Sequence, residues 1–429
     1  QGPWHRRRAS AAAFRPRPRA RTGMAPAAPM GSSGGQRAKE ARQDPCLAHL
    51  LGECAPEAQP LVQRSAGVAG LGRDLLDRLR GPAPEGEGLE ELVALVERAL
   101  ELEELEDVVR WQWARREEQQ AALKKLLRCG VTSAPALLRA LAEEERGRCN
   151  LNRRLEDTGQ RELRPDTVQE LAAELRVRVL QRMQVSTEGD RPVLVTAPHN
   201  IYLHRDGHVP HVMEEYTTFI AQRLAKQLQG ASITWSRAEQ RRSELMWLLA
   251  RRRGLDSATY IDARNRDPNY LTRSEVLDNP WFRHMRAIAE GFREGAPRAP
   301  RPALHVDVHG CRDPPSTPSH LTVGLAAMRW EAEAGRDALS AADVRVFAAA
   351  LEEELTLALG GLSLGGRGEV PVRVLAPAWA DAARAERLSG AWPPASRRAT
   401  QSQQAVAYAG FTHSCQLELS KALRRVLVA

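Results

Sequence analysis

Val193-Leu-Val-Thr-Ala-Pro-His199-Asn200 and Ala303-Leu-His-Val-Asp-Val-His309-Gly-Cys-Arg312 decide the fold. Each is a run of β-favouring residues that ends in a histidine beside a turn residue. Continuous apolar runs of this kind read as buried parallel strands. In open α/β sheets, ligands and catalytic groups gather at the carboxyl ends of such strands. A single histidine at a strand end is more often a hydrogen-bonded turn residue. Two histidines delivered to one sheet edge point instead to two ligands for one metal ion.

Outward from these strands, the texture after about residue 186 alternates between short apolar runs and amphipathic stretches. Strands are predicted at 193–197, 231–235, 258–261, 303–308, 321–325, 370–375 and 415–419. Helices are predicted at 214–228, 281–293 and 341–358, with another at the C-terminus. Alternation of this kind implies an α/β domain over 186–429, with a mostly parallel mixed sheet flanked by helices. Residues 46–185 read as a helical region. Leu92, Val93, Leu95, Val96, Leu100, Leu102, Leu105, Val108 and Val109 form an apolar stripe among Glu, Arg and Lys, which predicts a helical hairpin over 89–127. Residues 129–175, with Ser133 or Thr132 and Asp166 or Thr167 as helix caps, loosely resemble five-helix interaction modules of the sterile-alpha-motif kind. The helical region therefore reads as a docking piece for a protein partner, or as plain packing against the next domain.

Composition bounds the function. No apolar run approaches the roughly 20 residues needed to span a bilayer, so no membrane role is expected. The net charge is +8, but residues 1–23 hold seven arginines (6, 7, 8, 15, 17, 19 and 21) and no acid. The remainder is near neutral and carries no nucleic-acid footprint. Residues 1–45 form an Arg/Pro/Ala-rich leader, expected to be disordered. It reads as an organelle transit peptide or as sequence upstream of a start at Met24. Six cysteines without a close pair fit reduced thiols in an intracellular setting, cytoplasmic or organellar. Cys311 and Cys415 lie near the site strands and read as small buried filler.

A catalytic zinc takes three protein ligands and keeps one position open. His199 and His309 supply two. The third must be a carboxylate, with Glu215 the first choice and Glu214 the second. His211-Val-Met-Glu214 also has the spacing of a carboxypeptidase-type site, which offers an alternative metal pair. Otherwise His204, His208 and His211 read as loop surface, and Arg241-Arg242 and Arg251-Arg-Arg253 as a solvated helix face.

Five pieces stand in order: Ala197-Pro-His199-Asn200, Glu215-Tyr216, Ile261-Asp-Ala-Arg-Asn265-Arg266, Asp307-Val-His309-Gly-Cys-Arg312 and Gln416-Leu-Glu418-Leu. Over about 191–429 they resemble the N-formylglutamate amidohydrolase-like zinc hydrolases, distant relatives of the zinc carboxypeptidases and aspartoacylases. The resemblance implies a phosphorylase/hydrolase-like sheet and a zinc ion held by His199, Glu215 and His309. It implies that Glu418 is the general base, taking a proton from the attacking water and passing it to the leaving amine. It implies that Asn265 and Arg266 grip a substrate carboxylate, through the planar fork of arginine. Arg312 would be a second clamp or an oxyanion stabiliser, and Asp307 would orient His309. The family pattern is broken by Asn200, by one extra residue in 261–266 and by Gly310 where Ser is usual, so formylglutamate itself is not implied. The expected activity is zinc-dependent cleavage of an amide C–N bond in an N-acyl amino acid or a similar carboxylate-bearing small molecule. Two other readings compete: an inactive α/β scaffold whose helices recruit a protein, and a carboxypeptidase-like peptidase built on His211 and Glu214.

Overall fold

Asp44 opens the first helix among the described residues. Its carboxylate accepts the Cys46 and Leu47 N–H groups at 2.9 and 3.1 Å, and Pro45 sits where no N–H is needed. The computed structural model describes residues 44–82, 86–112, 115–145, 183–187, 189–256, 261, 265–294, 302–328, 341–364, 372–375, 388–392 and 396–429. The helical part contains α1 (Pro45–Glu53), α2 (Val68–Arg80), α3 (Glu87–Gln112), α4 (Arg116–Arg128) and α5 (Ala134–Glu145). Helices α3 and α4 fold back on one another, the hairpin that the apolar stripe predicts. Ser133 caps α5 by accepting the Ala136 N–H. Most of the block at 129–175, including the caps expected at Asp166 or Thr167, lies outside the described residues.

The sheet has the order β1-β3-β2-β4-β7-β5-β6. Its strands are β1 (Met183–Ser186), β2 (Val193–Ala197), β3 (Ala231–Trp235), β4 (Leu304–Cys311), β5 (Leu321–Gly324), β6 (Val374–Leu375) and β7 (His413–Ser420). Strands β3, β2, β4 and β7 run parallel, while β1 and β5 are antiparallel to their neighbours in this central group. The fold is thus the mixed α/β sheet expected. Helices α6 (Thr217–Gln227), α7 (Arg237–Arg252), α8 (Pro280–Glu294), α9 (Ala341–Leu359) and α10 (Lys421–Val428) accompany it. Two cores lie on its two faces. One gathers Leu194, Ile233, Trp281, Phe282 and Met285, and the other Val195, Val306, Val308, Ile220 and Leu423. The expected strand at 258–261 falls outside the described residues except for Ile261, which lies in a bend, and that at 370–375 is described only as Val374–Leu375.

Two expectations need correction. Helix α6 starts at Thr217, not at 214, because Tyr216 takes a left-handed conformation (φ 72°) that a residue inside a helix cannot adopt, and stands instead as its cap. Arg241 and Arg242 are not a solvated face, whereas Arg251, Arg252 and Arg253 at the end of α7 are exposed as expected. Arg241 pairs with Glu103, Arg242 with Glu104 at 3.5 Å, and Arg253 with Glu90. Arg252 donates to the Leu79 carbonyl at 2.9 Å. Beneath these pairs Leu245, Leu248 and Leu249 enter the same core as Leu75, Leu79 and Leu100. The helical part is therefore packed against α7 by apolar burial and bordered by ion pairs. Among the described residues no helix is long and apolar enough to cross a membrane.

Candidate metal centre

Strands β2 and β4 pair in register, with Thr196 opposite Asp307, so their carboxyl ends deliver His199 and His309 together. Trp235 Nε1 donates to the Pro198 carbonyl at 2.6 Å and fixes the turn that carries His199. The two imidazole centroids stand 4.5 Å apart, and the two Nδ1 atoms 3.0 Å apart. Glu214 completes the group. Its Oε1 lies 3.2 Å from His199 Nδ1 and its Oε2 3.8 Å from His309 Nδ1, while Oε2 also accepts the Gly310 N–H at 2.7 Å. Among the described residues, His199, Glu214 and His309 are the one group of three whose ligand atoms lie within 4.8 Å of one another.

The carboxylate is Glu214 rather than Glu215. The Glu215 side chain is 44% exposed and pairs with Lys421 at 3.1 Å. Adjacent residues outside a helix point apart, and the helix start that was to aim Glu215 inward lies further on, at Thr217.

The outer nitrogens of both rings stand beside carboxylates. His199 Nε2 lies 2.9 Å from Asp267 Oδ1, and His309 Nε2 lies 2.8 Å from Asp307 Oδ2. Both aspartates are buried. Where these carboxylates hold the Nε2 protons, the two Nδ1 atoms, 3.0 Å apart, are the positions left to share a proton or a metal ion with Glu214. Two ring nitrogens and a carboxylate then converge on one point. That arrangement is stable only around a cation: a proton or a metal ion. Nitrogens on a tetrahedral zinc with bonds of about 2.0–2.1 Å would stand about 3.3 Å apart, close to the spacing here. The donor set fits a divalent metal.

The electrostatics agree. Burial pulls the His199 imidazole down, but Asp267 and Glu214 outweigh it and lift its pKa to about 10. Burial likewise opposes a charged His309, and Asp307 overrides it, so its pKa is raised. Burial raises Glu214, yet His199 and His211 hold its carboxyl well below the ordinary carboxylate range. A site that holds protons this tightly offers the same lone pairs to a metal.

Glu418 stands directly across from His309 in the β4–β7 register and is 6% exposed. Gln416 Nε2 donates to its Oε1 at 2.6 Å. Burial pushes the Glu418 carboxyl up, against the pull of His309. The expected substrate clamp looks different. Asn265 donates to Glu239 at 2.7 Å, and Arg266 pairs with Asp206 and, at 2.9 Å, with Glu275. Both are engaged by acids of the protein, Asn265 in a buried contact and Arg266 in partly exposed ion pairs. Arg312 is exposed just beyond the end of β4.

Sequence reasoning missed Asp267 and Asn269. Asp267 holds His199 and also accepts from Arg205 Nε at 2.5 Å. Asn269 Nδ2 sits 3.5 and 3.4 Å from the Nε2 atoms of His199 and His309. The available signal was Asp267-Pro268-Asn269, a turn signature directly after Asn265-Arg266. His211 is not loop surface: its ring stacks 3.9 Å from that of His199, and its Nε2 lies 3.2 Å from Glu214 Oε1. Gly310, where the resembling family has Ser, is explained by Arg424, whose guanidinium occupies the space a side chain at 310 would take. Burial pushes the Cys311 and Cys415 thiols up to about 12, so neither is a thiolate, in keeping with filler.

Asp267→Asn should weaken metal binding about 10- to 100-fold, the usual cost of losing a carboxylate behind a ligating histidine. Competition with a chromogenic chelator measures it. Affinity equal to wild type would remove Asp267 from the centre.

Fold and site together define an α/β protein with a buried two-histidine, one-carboxylate centre at the strand ends. No family model matches the chain, and no curated protein or solved structure is significantly similar to it.

Proposed function

We propose that the protein is a metal-dependent hydrolase, with zinc as the metal, that cleaves an amide C–N bond in a carboxylate-bearing small molecule. The observation that carries this reading is the convergence of His199 Nδ1, His309 Nδ1 and Glu214 beside a buried carboxyl group, Glu418. A bound divalent ion supplies a Lewis acid for the carbonyl and lowers the pKa of water. In this reading Glu418 takes the proton from the attacking water and returns it to the departing nitrogen. Burial, which raises its pKa, brings it nearer to the range where such exchange is efficient. Asp267 and Asp307 keep the two imidazoles in the tautomer that presents Nδ1. The ordered sequence pieces resembling the N-formylglutamate amidohydrolase-like hydrolases support the same reading, with Glu214 in the place first given to Glu215.

A second reading has one specific observation in its favour. His211 Nδ1 lies 2.5 Å from the Val212 carbonyl and must donate to it, so Nε2 is a lone pair 3.2 Å from Glu214. In that version His211 replaces His199 among the ligands, as in a carboxypeptidase-like site.

The test is a panel of N-acyl amino acids and short peptides offered to zinc-loaded and to chelator-stripped protein. Release of free amine by the loaded protein alone supports the hydrolase. No release from any member, with zinc bound, removes it. Zinc retained by His211→Ala and lost by His199→Ala decides between the two ligand sets.

A further inference from the structure

If Arg266 and Asn265 are occupied by acids of the protein, a substrate carboxylate needs another cation. Three chain segments meet beside the metal centre. Tyr270 follows Asn269, whose amide touches the outer Nε2 atoms of His199 and His309. Trp392 lies 5.2 Å from the Tyr270 ring, edge to face, and its Nε1 donates to the Asn269 carbonyl at 2.7 Å. Arg398 places its guanidinium 5.0 Å from the centre of the Tyr270 ring and 5.9 Å from that of Trp392. Arg205, already neutralised by Asp267, lies 4.0 Å from the Tyr270 ring.

The segments are fixed to one another. Thr272 and Arg398 form a β-bridge, Ala399 N–H donates to the Leu271 carbonyl, and Gln401 N–H donates to Asn269 Oδ1 at 2.5 Å. They also share the sheet face that carries Glu418. Gly390, two residues before Trp392, abuts Gln416, the residue that holds Glu418. Unlike Arg205 and Arg266, Arg398 forms no ion pair with an acid among the described residues.

We propose that Arg398, walled by Tyr270 and Trp392, is the subsite for the substrate's carboxylate, and that the substrate carries this carboxylate on an apolar or aromatic body. The planar guanidinium meets a carboxylate through two parallel hydrogen bonds. The two rings provide flat apolar surface for the rest of the molecule and hold the guanidinium by cation–π attraction. A second carboxylate, as in an acidic amino acid, finds no second unpaired cation in this cluster.

This inference deepens the hydrolase reading and rests on it, so binding and turnover are measured separately. Zinc-loaded full-length protein is titrated calorimetrically with N-acetyl-L-phenylalanine and with its carboxamide, using wild type, Arg398→Gln and, as a charge-matched control, Arg397→Gln. Arg397 is exposed and belongs to neither the cluster nor the centre. The expected result is tighter binding of the acid than of the carboxamide by wild type. Arg398→Gln should weaken acid binding about 10- to 100-fold, the range of a charge-assisted hydrogen bond, and leave carboxamide binding within about twofold. Arg397→Gln should match wild type. Equal loss for both ligands, no loss for the acid, or no acid binding by wild type would each overturn the subsite. Acid binding that depends on Arg398 without turnover of any N-acyl amino acid would uphold the subsite and remove the hydrolase instead.

Discussion

His309→Ala and Glu214→Gln should each purify almost free of zinc, whereas Glu215→Gln should carry about as much as wild type. Even a change behind a metal ligand costs about 10- to 100-fold in affinity, so loss of a ligand should cost at least about 100-fold. The Glu215 comparison is the sharp one. Glu215 and Glu214 are neighbours with the same charge, so any general electrostatic effect of removing a carboxylate strikes both. Burial of Glu214 between the two imidazoles, against a partly exposed Glu215 paired with Lys421, separates them. Metal analysis of the three variants is the measurement, and zinc lost from Glu215→Gln but kept by Glu214→Gln would reverse the assignment. The sign of the pH dependence follows as well. Without metal, His199 has a pKa of about 10 and is protonated at neutral pH. Metal must displace that proton, so binding should release about one proton and strengthen by roughly tenfold per pH unit as pH rises toward 10. An affinity independent of pH between 6 and 9 would contradict the protonated site.

Glu418→Gln should keep its zinc and lose turnover by about 10²- to 10⁴-fold, the usual contribution of a general acid–base group. The amide preserves shape and the hydrogen bond with Gln416, but it cannot accept a proton. Glu418 is not one of the three converging ligands, so metal content is the control that separates loss of the base from loss of the centre. Burial raises its pKa. The base works only when deprotonated, so the wild-type rate should fall as pH drops through that raised value, and this limb should vanish in the variant. Parallel zinc assays and pH–rate profiles test both statements. Zinc lost together with activity would make Glu418 a ligand, and an unaltered rate would leave the water without a base.

The sheet and its two histidines were legible in the sequence because both signals are local. A buried parallel strand is a continuous apolar run, and the residue at its end is fixed by the chain. Strand register supplied the rest: His309 and Glu418, 109 positions apart, face each other because β4 and β7 pair without offset. What escaped was set by loops. Choosing between Glu214 and Glu215 depends on one left-handed residue, Tyr216, and tyrosine gives no warning of that conformation. The role of Asp267 depends on how the 265–270 turn folds over the histidines, and no periodicity encodes this. Arg266 carried the right chemistry for a clamp, yet two acids from separate segments, Asp206 and Glu275, claim it. Arg241 and Arg242 of α7 were misread for a related reason. An exposed helix face and an ion-paired seam have the same composition, and only the partner helix tells them apart.

That seam ties the two halves of the molecule through a single rod. One flank of α7 is gripped by the N-terminal helices through Leu245, Leu248, Leu249 and Arg241. Its other contacts brace the loops of the centre: Glu239 accepts from Asn265, and Ser243 accepts the Tyr202 N–H at 2.9 Å. The helical half is thus a splint for the turns that seat His199 and Asp267. A fragment cut away from it would bare three leucines to water and loosen the backing of those turns.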